Sequence, residues 1–195
     1  SDQGSVAAGI ESYEFTQQDL VEAMSRIAER NELIEADVVY VTADYDGGLP
    51  LIAQLLPEAG IDPELVQYVG LSQWDVLPSA FHLPGIQGGW FAMPSPTRVE
   101  QFRERFQSVY GSAPHPLAAI AYDGVAAVGA SVATGNRDAL NSKGLTLTGG
   151  FQGSAGIFRL RKDGTIERGL AVATIAGNQV VVLEEAPRDF SNFGF

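Results

Sequence analysis

Apolar and polar positions alternate in blocks over the N-terminal part of the chain. The β-branched run Ala36–Thr42 (ADVVYVT) is too short for a helix and predicts a strand buried on both faces, as in a parallel sheet. The same reasoning predicts strands over Val6–Phe15 and Leu65–Leu71, a helix from an N-cap at Thr16 to about residue 30, and a helix over Leu49–Ala59. Strand, helix, strand, helix, strand at this spacing predicts a doubly wound α/β fold.

Two helices of opposite character are predicted in the middle of the chain, on either side of a Pro-rich break. The first places Val99, Phe102, Phe106 and Val109 on one stripe among charged residues, which is typical of an amphipathic helix. The second, Leu117–Ala133, is apolar nearly all round and rich in Ala. We therefore expect the second helix to be buried among other elements.

Short alternating runs dominate much of the rest of the chain. They predict strands over Ile86–Met93, Gly156–Arg161, Leu170–Ile175 and Val180–Leu183. Hairpin turns are indicated at Lys162–Thr165 and at Gly177–Asn178. In the first of these strands, Trp90 is expected to lie in the core.

The composition is that of a globular protein, with 45% hydrophobic and 18% charged residues in a chain of 195. The net charge of −12 repels phosphate backbones, so no nucleic-acid partner is expected. No run approaches the roughly 18 to 20 apolar residues of a membrane span. No signal peptide is recognisable, and the start at Ser1 without Met is typical of a processed chain or an excised piece.

The sequence contains few of the residues and motifs that common catalytic sites require. The absence of Cys removes disulfides, thiolate nucleophiles and Cys-ligated zinc. The only histidines, His82 and His115, lie in Pro-containing loop sequence. The Gly-rich run 149–156 lacks the Gly two residues before Ser154 that a nucleophile elbow needs, and it lacks the ending of a phosphate loop. We expect no catalytic residue, no metal site and no cofactor.

Ligands of a doubly wound sheet bind beyond the carboxyl ends of the strands, and two predicted loops, 43–48 and 72–75, hold that position. Asp44 and Asp46 are interpreted as solvated acids, with contacts to a polar ligand or a hard cation as alternatives. Tyr45 and Trp74 suit either a cover over a ligand or a plug between two lobes, and both interpretations stay open. Asp123, on the apolar helix, must be paired if it is buried, and a structural bond to a neighbouring backbone group or Tyr is favoured over a ligand contact.

The order of several motifs resembles a known family. VYVTADY and YVGLS, followed by FxxxFxxxYGxxP and AxAYDGV, resemble the type I periplasmic binding proteins of the branched-chain amino acid class. GGWFAMP, the closing GxxGxxRxxxDGTxERGLAVAxI and APRDF are similar to bacterial penicillin-binding protein activators, which are periplasmic lipoproteins on the same two-lobed fold. The resemblance runs from about Val6 to Phe190.

The resemblance implies an α/β, periplasmic binding protein-like I fold, with doubly wound, mostly parallel sheets in three-layer αβα lobes. One complete lobe and part of the other are expected. The expected boundaries are 1–75 for the second lobe, with 165–185 returning to it, 86–155 for part of the first lobe, 76–85 and 156–165 for hinge crossings, and 186–195 for a tail. Without its sheet partners, Leu117–Ala133 would expose a large apolar patch, so we expect association with the missing N-terminal half-lobe or self-association.

The function implied is that of a non-catalytic domain that acts through protein–protein contact in cell-wall synthesis, with a penicillin-binding protein as partner. The location implied is the bacterial periplasm, with a lipid anchor in the outer membrane for the full-length protein. The alternative is a solute receptor that delivers a leucine-, isoleucine- or valine-like amino acid, or a related small ligand, to an ABC transporter permease. By motif position, the candidate ligand-binding residues are Asp44, Tyr45, Asp46, Ser72, Gln73, Trp74 and Asp75.

Overall fold

The computed structural model describes residues 7, 9–14, 16–46, 48–71, 73–115, 117–135 and 137–191. The helices are α1 (Gln17–Ile34), α2 (Leu49–Glu58), α3 (Pro96–Tyr110), α4 (Ala118–Ala133) and α5 (Ser142–Leu145), with 3₁₀ turns at Pro78–Ala80 and Arg137–Leu140. The strands are β1 (Val38–Val41), β2 (Gln67–Gly70), β3 (Trp90–Met93), β4 (Phe151–Gly153), β5 (Gly156–Leu160), β6 (Ile166–Arg168), β7 (Ala171–Ala176) and β8 (Gln179–Glu184).

The chain divides into two compact units. Unit 1 comprises the residues up to Ala92 together with Ala173–Leu183, and unit 2 comprises Met93–Val172 and the residues from Glu184 onward. The assignment of these units to the two lobes of a binding protein stays a prediction.

Unit 1 is built on a five-stranded sheet with the order β1-β2-β3-β7-β8. β1, β2 and β3 pair in parallel, with Tyr40 beside Val69 and Val69 beside Trp90. β7 and β8 are joined by Gly177 and Asn178, whose φ angles of 58° and 60° are those of a type I′ hairpin turn. The α/β class and the mostly parallel central sheet are thereby confirmed.

The helices of unit 1 begin where the sequence predicts them. The Thr16 hydroxyl accepts a hydrogen bond from the Asp19 N–H at 3.2 Å, so Thr16 is the N-cap of α1. α2 follows Gly48, whose φ of 94° favours glycine, and carries Pro50 in its first turn. These caps fix the starts of α1 and α2.

The five-stranded sheet has one covered and one open face. Val41, Tyr68 and Phe91 are buried on the face where α2 lies, since a Cβ at Gly85 would come within 2.9 Å of both Ala53 Cα and the Tyr68 ring. The side chains that alternate with them are exposed: Val38 by 51%, Tyr40 by 56% and Trp90 by 47%. The expectation of a β1 strand buried on both faces was wrong, and so was that of a core Trp90, because the described helices of unit 1 do not cover this face.

Unit 2 combines α3, α4 and α5 with a three-stranded antiparallel sheet, β4-β5-β6. Phe102 and Phe106 of α3 pack against Ala119 of α4 and Ala155 of the β4–β5 turn. The predicted apolar stripe of α3 therefore forms over two of its turns, whereas Val109 at its end is exposed.

α4 is buried along one narrow stripe only. Its buried residues are Ala119, Asp123, Ala127 and Ser131, spaced four apart. The large apolar residues Ile120, Val125, Val128 and Val132 are exposed. The expected burial of this helix among other elements was therefore wrong for the described residues, while the expected exposure of an apolar patch is confirmed.

The strand predicted over Val6–Phe15 is also wrong for the described residues of that stretch, which form no regular structure. Ion pairs hold it against α1 instead: Glu11 accepts from Arg26 Nε at 3.0 Å and from Arg30 Nη2 at 2.8 Å. This stretch is therefore attached by side-chain contacts to a helix, and not by the backbone hydrogen bonds of a strand in a sheet. Val6 and Phe15 themselves lie outside the described residues.

Candidate functional site

The loop after β1 presents its polar side chains to solvent. Asp44, Tyr45 and Asp46 are all exposed, and the Asp44 carbonyl accepts from the Leu49 N–H at 3.0 Å, which closes the loop onto the start of α2. Burial raises the pKa of Tyr13, and the nearby charge of Asp44 raises that pKa further. The loop is therefore an acidic surface with one exposed aromatic ring.

The loop after β2 divides its residues between solvent and core. Gln73 is exposed and adopts a left-handed backbone conformation with φ of 75°. Trp74 is only 2% exposed. Asp75 is half-buried, and burial raises the pKa of its carboxyl. Ser72, the remaining candidate in this loop, lies outside the described residues.

Trp74 is part of the core of unit 1. Its ring fills space left by two glycines: a Cβ would lie 2.2 Å from the ring at Gly70 and 2.5 Å from it at Gly89. The ring also stacks on Phe91 with 6.1 Å between centroids. The Trp74 ring therefore packs in the core of unit 1 and is not exposed on the surface of the loop.

Asp123 is the centre of a buried polar cluster of unit 2. Its carboxylate is 1% exposed and accepts hydrogen bonds from the Ser154 N–H at 2.5 Å, the Ser154 hydroxyl at 2.7 Å and Arg168 Nη1 at 3.1 Å. Arg168 also lies over the Phe158 ring at 5.0 Å. The structural role predicted for Asp123 fits this arrangement, and the carboxylate ties α4 to the β4–β5 turn and to β6.

A pocket of about 310 Å³ lies between α3 and the β4–β5 turn of unit 2. Phe102 and Tyr122 form its aromatic wall, with 5.4 Å between ring centroids, and Arg98 and Arg105 line it with Ser154. Arg98 is engaged, because it donates to the Gly153 carbonyl at 3.1 Å and to Gln152 Oε1 at 2.8 Å. Sequence reasoning missed this pocket, since its walls come from separate elements and no motif marks it.

A second pocket, of about 400 Å³, lies beside the β5–β6 hairpin. Its wall includes Arg159 and Arg161, and both pair with Glu167, at 2.8 and 2.5 Å. Hydrogen bonds from Arg159 and then Arg161 lower the pKa of Glu167. The positive charge of this pocket is thus largely compensated.

Within the described parts of the chain, no group of three His, Asp or Glu side chains could hold a metal ion. The described helices include none with the length and apolar character required to cross a bilayer.

A protein-family model described as a periplasmic binding protein matches residues 2–179. No curated protein sequence matches the chain. Among solved structures, a putative branched-chain amino acid ABC transporter protein from Rhodospirillum rubrum superimposes with a TM-score of 0.65 at 19% identity, over 82% of this chain and 48% of its own. The leucine binding protein LivK from Thermotoga maritima has a TM-score of 0.59 at 18% identity, over 89% of this chain and 50% of its own.

The C-domain of LpoA from Haemophilus influenzae, a regulator of PBP1A, is similar with a TM-score of 0.52 at 15% identity, over 85% of this chain and 50% of its own. The chain thus spans about half the length of these solved structures. At such identities the structures show a shared fold and nothing finer. The family consists of substrate-binding proteins of the periplasm or the extracellular space.

Proposed function

The chain belongs to the type I periplasmic binding protein family, branched-chain amino acid class, and we propose that it is a non-catalytic domain of the penicillin-binding protein activator type. It acts through protein–protein contact in cell-wall synthesis. The observation that supports this proposal is the distribution of the predicted ligand residues. Asp44, Tyr45, Asp46 and Gln73 are exposed, whereas Trp74 is packed in the core.

A small-molecule receptor needs a concave site where a few polar groups converge on the ligand and bury most of its surface. In unit 1 by itself, the two loops offer an exposed acidic surface around Tyr45 instead. Such a surface suits a protein partner with basic residues, since Tyr is enriched among interface hot spots and surrounding charges speed the encounter. In this proposal Tyr45 is the anchor, and Asp44 and Asp46 flank it.

The partner in this proposal is a penicillin-binding protein, and the contact takes place in the periplasm, with a lipid anchor to the outer membrane in the full-length protein. In this proposal, residues 1–75 and 165–185 belong to the second lobe of a binding protein, and residues 86–155 belong to part of the first. The missing N-terminal half-lobe would complete the fold.

A solute receptor of an ABC transporter is the second candidate. One observation favours it: the two loops follow the carboxyl ends of the parallel strands β1 and β2, where ligands of such sheets bind. There, the carboxylates of Asp44 and Asp46 would pair with the ammonium group of an amino acid, and Tyr45 would cover its side chain.

Binding measurements with Tyr45→Ala separate the two candidates. In biolayer interferometry against the periplasmic region of a penicillin-binding protein from the same bacterium, we expect saturable binding by the wild-type chain. Loss of a hot-spot Tyr should weaken it by at least about 30-fold, which corresponds to about 2 kcal/mol. The matched control is Leu65→Ala, an exposed apolar residue of another unit 1 loop, which should bind like wild type.

Calorimetry with L-leucine and L-isoleucine completes this test. The proposal predicts no binding heat with either amino acid. Leucine binding that disappears in Tyr45→Ala, with no binding to the penicillin-binding protein, would contradict the proposal and support the solute receptor.

A further inference from the structure

The pocket between α3 and the β4–β5 turn lies wholly inside unit 2, so its shape depends on this unit alone. Its volume of about 310 Å³ is at the lower end of the range for small-ligand pockets. A pocket of that size suits a ligand of about ten non-hydrogen atoms. The proposed function, which rests on the loops of unit 1, does not involve this pocket.

One face of α3 supplies most of the pocket wall. Four lining residues have the spacing that places side chains on the same side of a helix, namely Arg98, Gln101, Phe102 and Arg105. The two arginines are separated by two helical turns, which is about 10 Å along the helix axis. This face therefore carries a guanidinium at each end, with an amide and an aromatic ring between them.

The pocket is positively charged, although the chain as a whole is acidic. The sequence has 24 Asp and Glu against 12 Lys and Arg, yet no acid is among the described residues that line this pocket. The ion pairs of the described residues leave Arg98 and Arg105 without a carboxylate partner. Arg98 donates instead to neutral oxygens, those of the Gly153 carbonyl and the Gln152 side chain. Two such guanidiniums favour an anionic ligand.

Tyr122 of α4 adds an apolar surface to this positive site. Its ring is 47% exposed and lies 5.4 Å from the Phe102 ring, so a flat apolar group can pack on it. The carboxylate beside Ser154, that of Asp123, is 1% exposed and already accepts from Ser154 and Arg168. A ligand ammonium group would therefore find no available carboxylate on these residues, and the two guanidiniums would repel it.

We propose that this pocket binds a small carboxylate that carries a flat apolar group and no ammonium group. Arg105 is the main partner of the carboxylate, because its side chain is exposed and its guanidinium can hold both oxygens at once. Arg98, held by the end of β4, adds a second positive charge, and Tyr122 packs on the apolar group. The lack of an ammonium group distinguishes this ligand from an amino acid.

Three probes of similar shape test the ligand chemistry: 3-phenylpropionate, its neutral amide 3-phenylpropionamide, and L-phenylalanine, which adds an ammonium group. NMR titration of the ¹⁵N-labelled chain follows the amide resonances of α3 and the β4–β5 turn. For a ligand of this size, we expect 3-phenylpropionate to bind with a dissociation constant on the order of 1 mM. The amide and L-phenylalanine should each bind at least about tenfold more weakly, since one lacks the charge-assisted hydrogen bonds and the other is repelled.

Arg105→Gln and Arg103→Gln form a matched pair of variants. Both remove one exposed positive charge from α3, but only Arg105 lines the pocket. Arg105→Gln should weaken binding of 3-phenylpropionate by at least about tenfold, whereas Arg103→Gln should stay within about twofold of wild type because screening limits the effect of distant surface charges. Circular dichroism verifies that both variants are folded. Equal weakening by both variants would overturn the proposal, and so would equal binding of the three probes.

The same titration of the full-length protein gives the last measurement, because the chain spans about half the length of the solved structures it resembles. We expect 3-phenylpropionate to bind there as well, with the same loss in Arg105→Gln. Binding to this chain but not to the full-length protein would show that another segment occupies the pocket, which would overturn the proposal. Absence of binding to this chain at about 10 mM probe, an order of magnitude above the expected dissociation constant, would also overturn it.

Discussion

Replacement of Asp123 by Ala should destabilise unit 2 more than any other single acid-to-alanine change among the described residues. The carboxylate is 1% exposed and compensates Arg168, whose side chain is 16% exposed, at 3.1 Å. Removal of one member of a buried ion pair costs about 3–5 kcal/mol, because the other charge is left uncompensated. The partial exposure of Arg168 lets water compensate some of that charge, so we expect a loss of about 3 kcal/mol.

The assay must report on unit 2 specifically. Both tryptophans, Trp74 and Trp90, belong to unit 1, so tryptophan fluorescence does not observe α4. Amide hydrogen exchange of α4 does, and a loss of about 3 kcal/mol should accelerate exchange of its protected amides by about 100-fold. Asp123→Asn keeps one acceptor oxygen for the Ser154 N–H and should give an intermediate acceleration.

Asp46→Ala is the matched control, because it removes the same group from an exposed position. A surface change of this kind should alter stability by less than about 0.5 kcal/mol. If Asp123→Ala accelerates exchange in α4 by less than about threefold, the carboxylate does not hold α4 to the β4–β5 turn, and the account of unit 2 is refuted.

Two further predictions concern Glu167 and Thr16. The hydrogen bonds of Arg159 and Arg161 depress the folded-state pKa of Glu167, so its contribution to stability is present above the unfolded pKa of 4.5 and is lost as pH falls through the lower folded value. Glu167→Gln should therefore flatten the acid limb of a stability–pH curve followed by circular dichroism, and an unchanged limb would contradict the pairing. Thr16→Ala should lower stability in urea unfolding by about 1 kcal/mol while Thr16→Ser retains the cap; equal losses would exclude a capping role.

The pattern of apolar residues predicts which helices and strands form in this protein better than it predicts how deeply they are buried. The period of Leu117–Ala133 identifies α4 correctly, because helical spacing is a property of the local sequence. Its burial is a property of what lies against it. The sequence of a helix shows that both of its sides are apolar, but it does not show whether another layer covers them. The helix was therefore predicted correctly, whereas its burial was not.

The two tryptophans show the same limit at the level of single residues. Trp90 was expected in the core and is half-exposed, whereas Trp74, for which two roles stayed open, is packed at 2% exposure. What decides between them is the room left by Gly70 and Gly89 and the face on which β3 directs alternate residues. The loop sequence around Trp74 specifies neither the space left by these glycines nor the face to which β3 directs Trp90.

The polar cluster of unit 2 was predictable only in part. A carboxylate on an apolar helix signals that partners must exist, and this identified Asp123. Its partners Ser154 and Arg168 are 31 and 45 positions away in sequence, so local spacing does not reveal them. In the same way, Tyr45 and Gln73 follow neighbouring strands, and the parallel pairing of β1 with β2 accounts for their position at one edge of the sheet.

The central claim is that the loops after β1 and β2 form a protein-contact surface. Hydrogen exchange of the chain with and without the periplasmic region of a penicillin-binding protein tests it most directly. We predict slower exchange in the complex at residues 44–46 and 73–75, with no change on addition of L-leucine alone. Slower exchange of these segments with L-leucine, and none with the penicillin-binding protein, would contradict the claim.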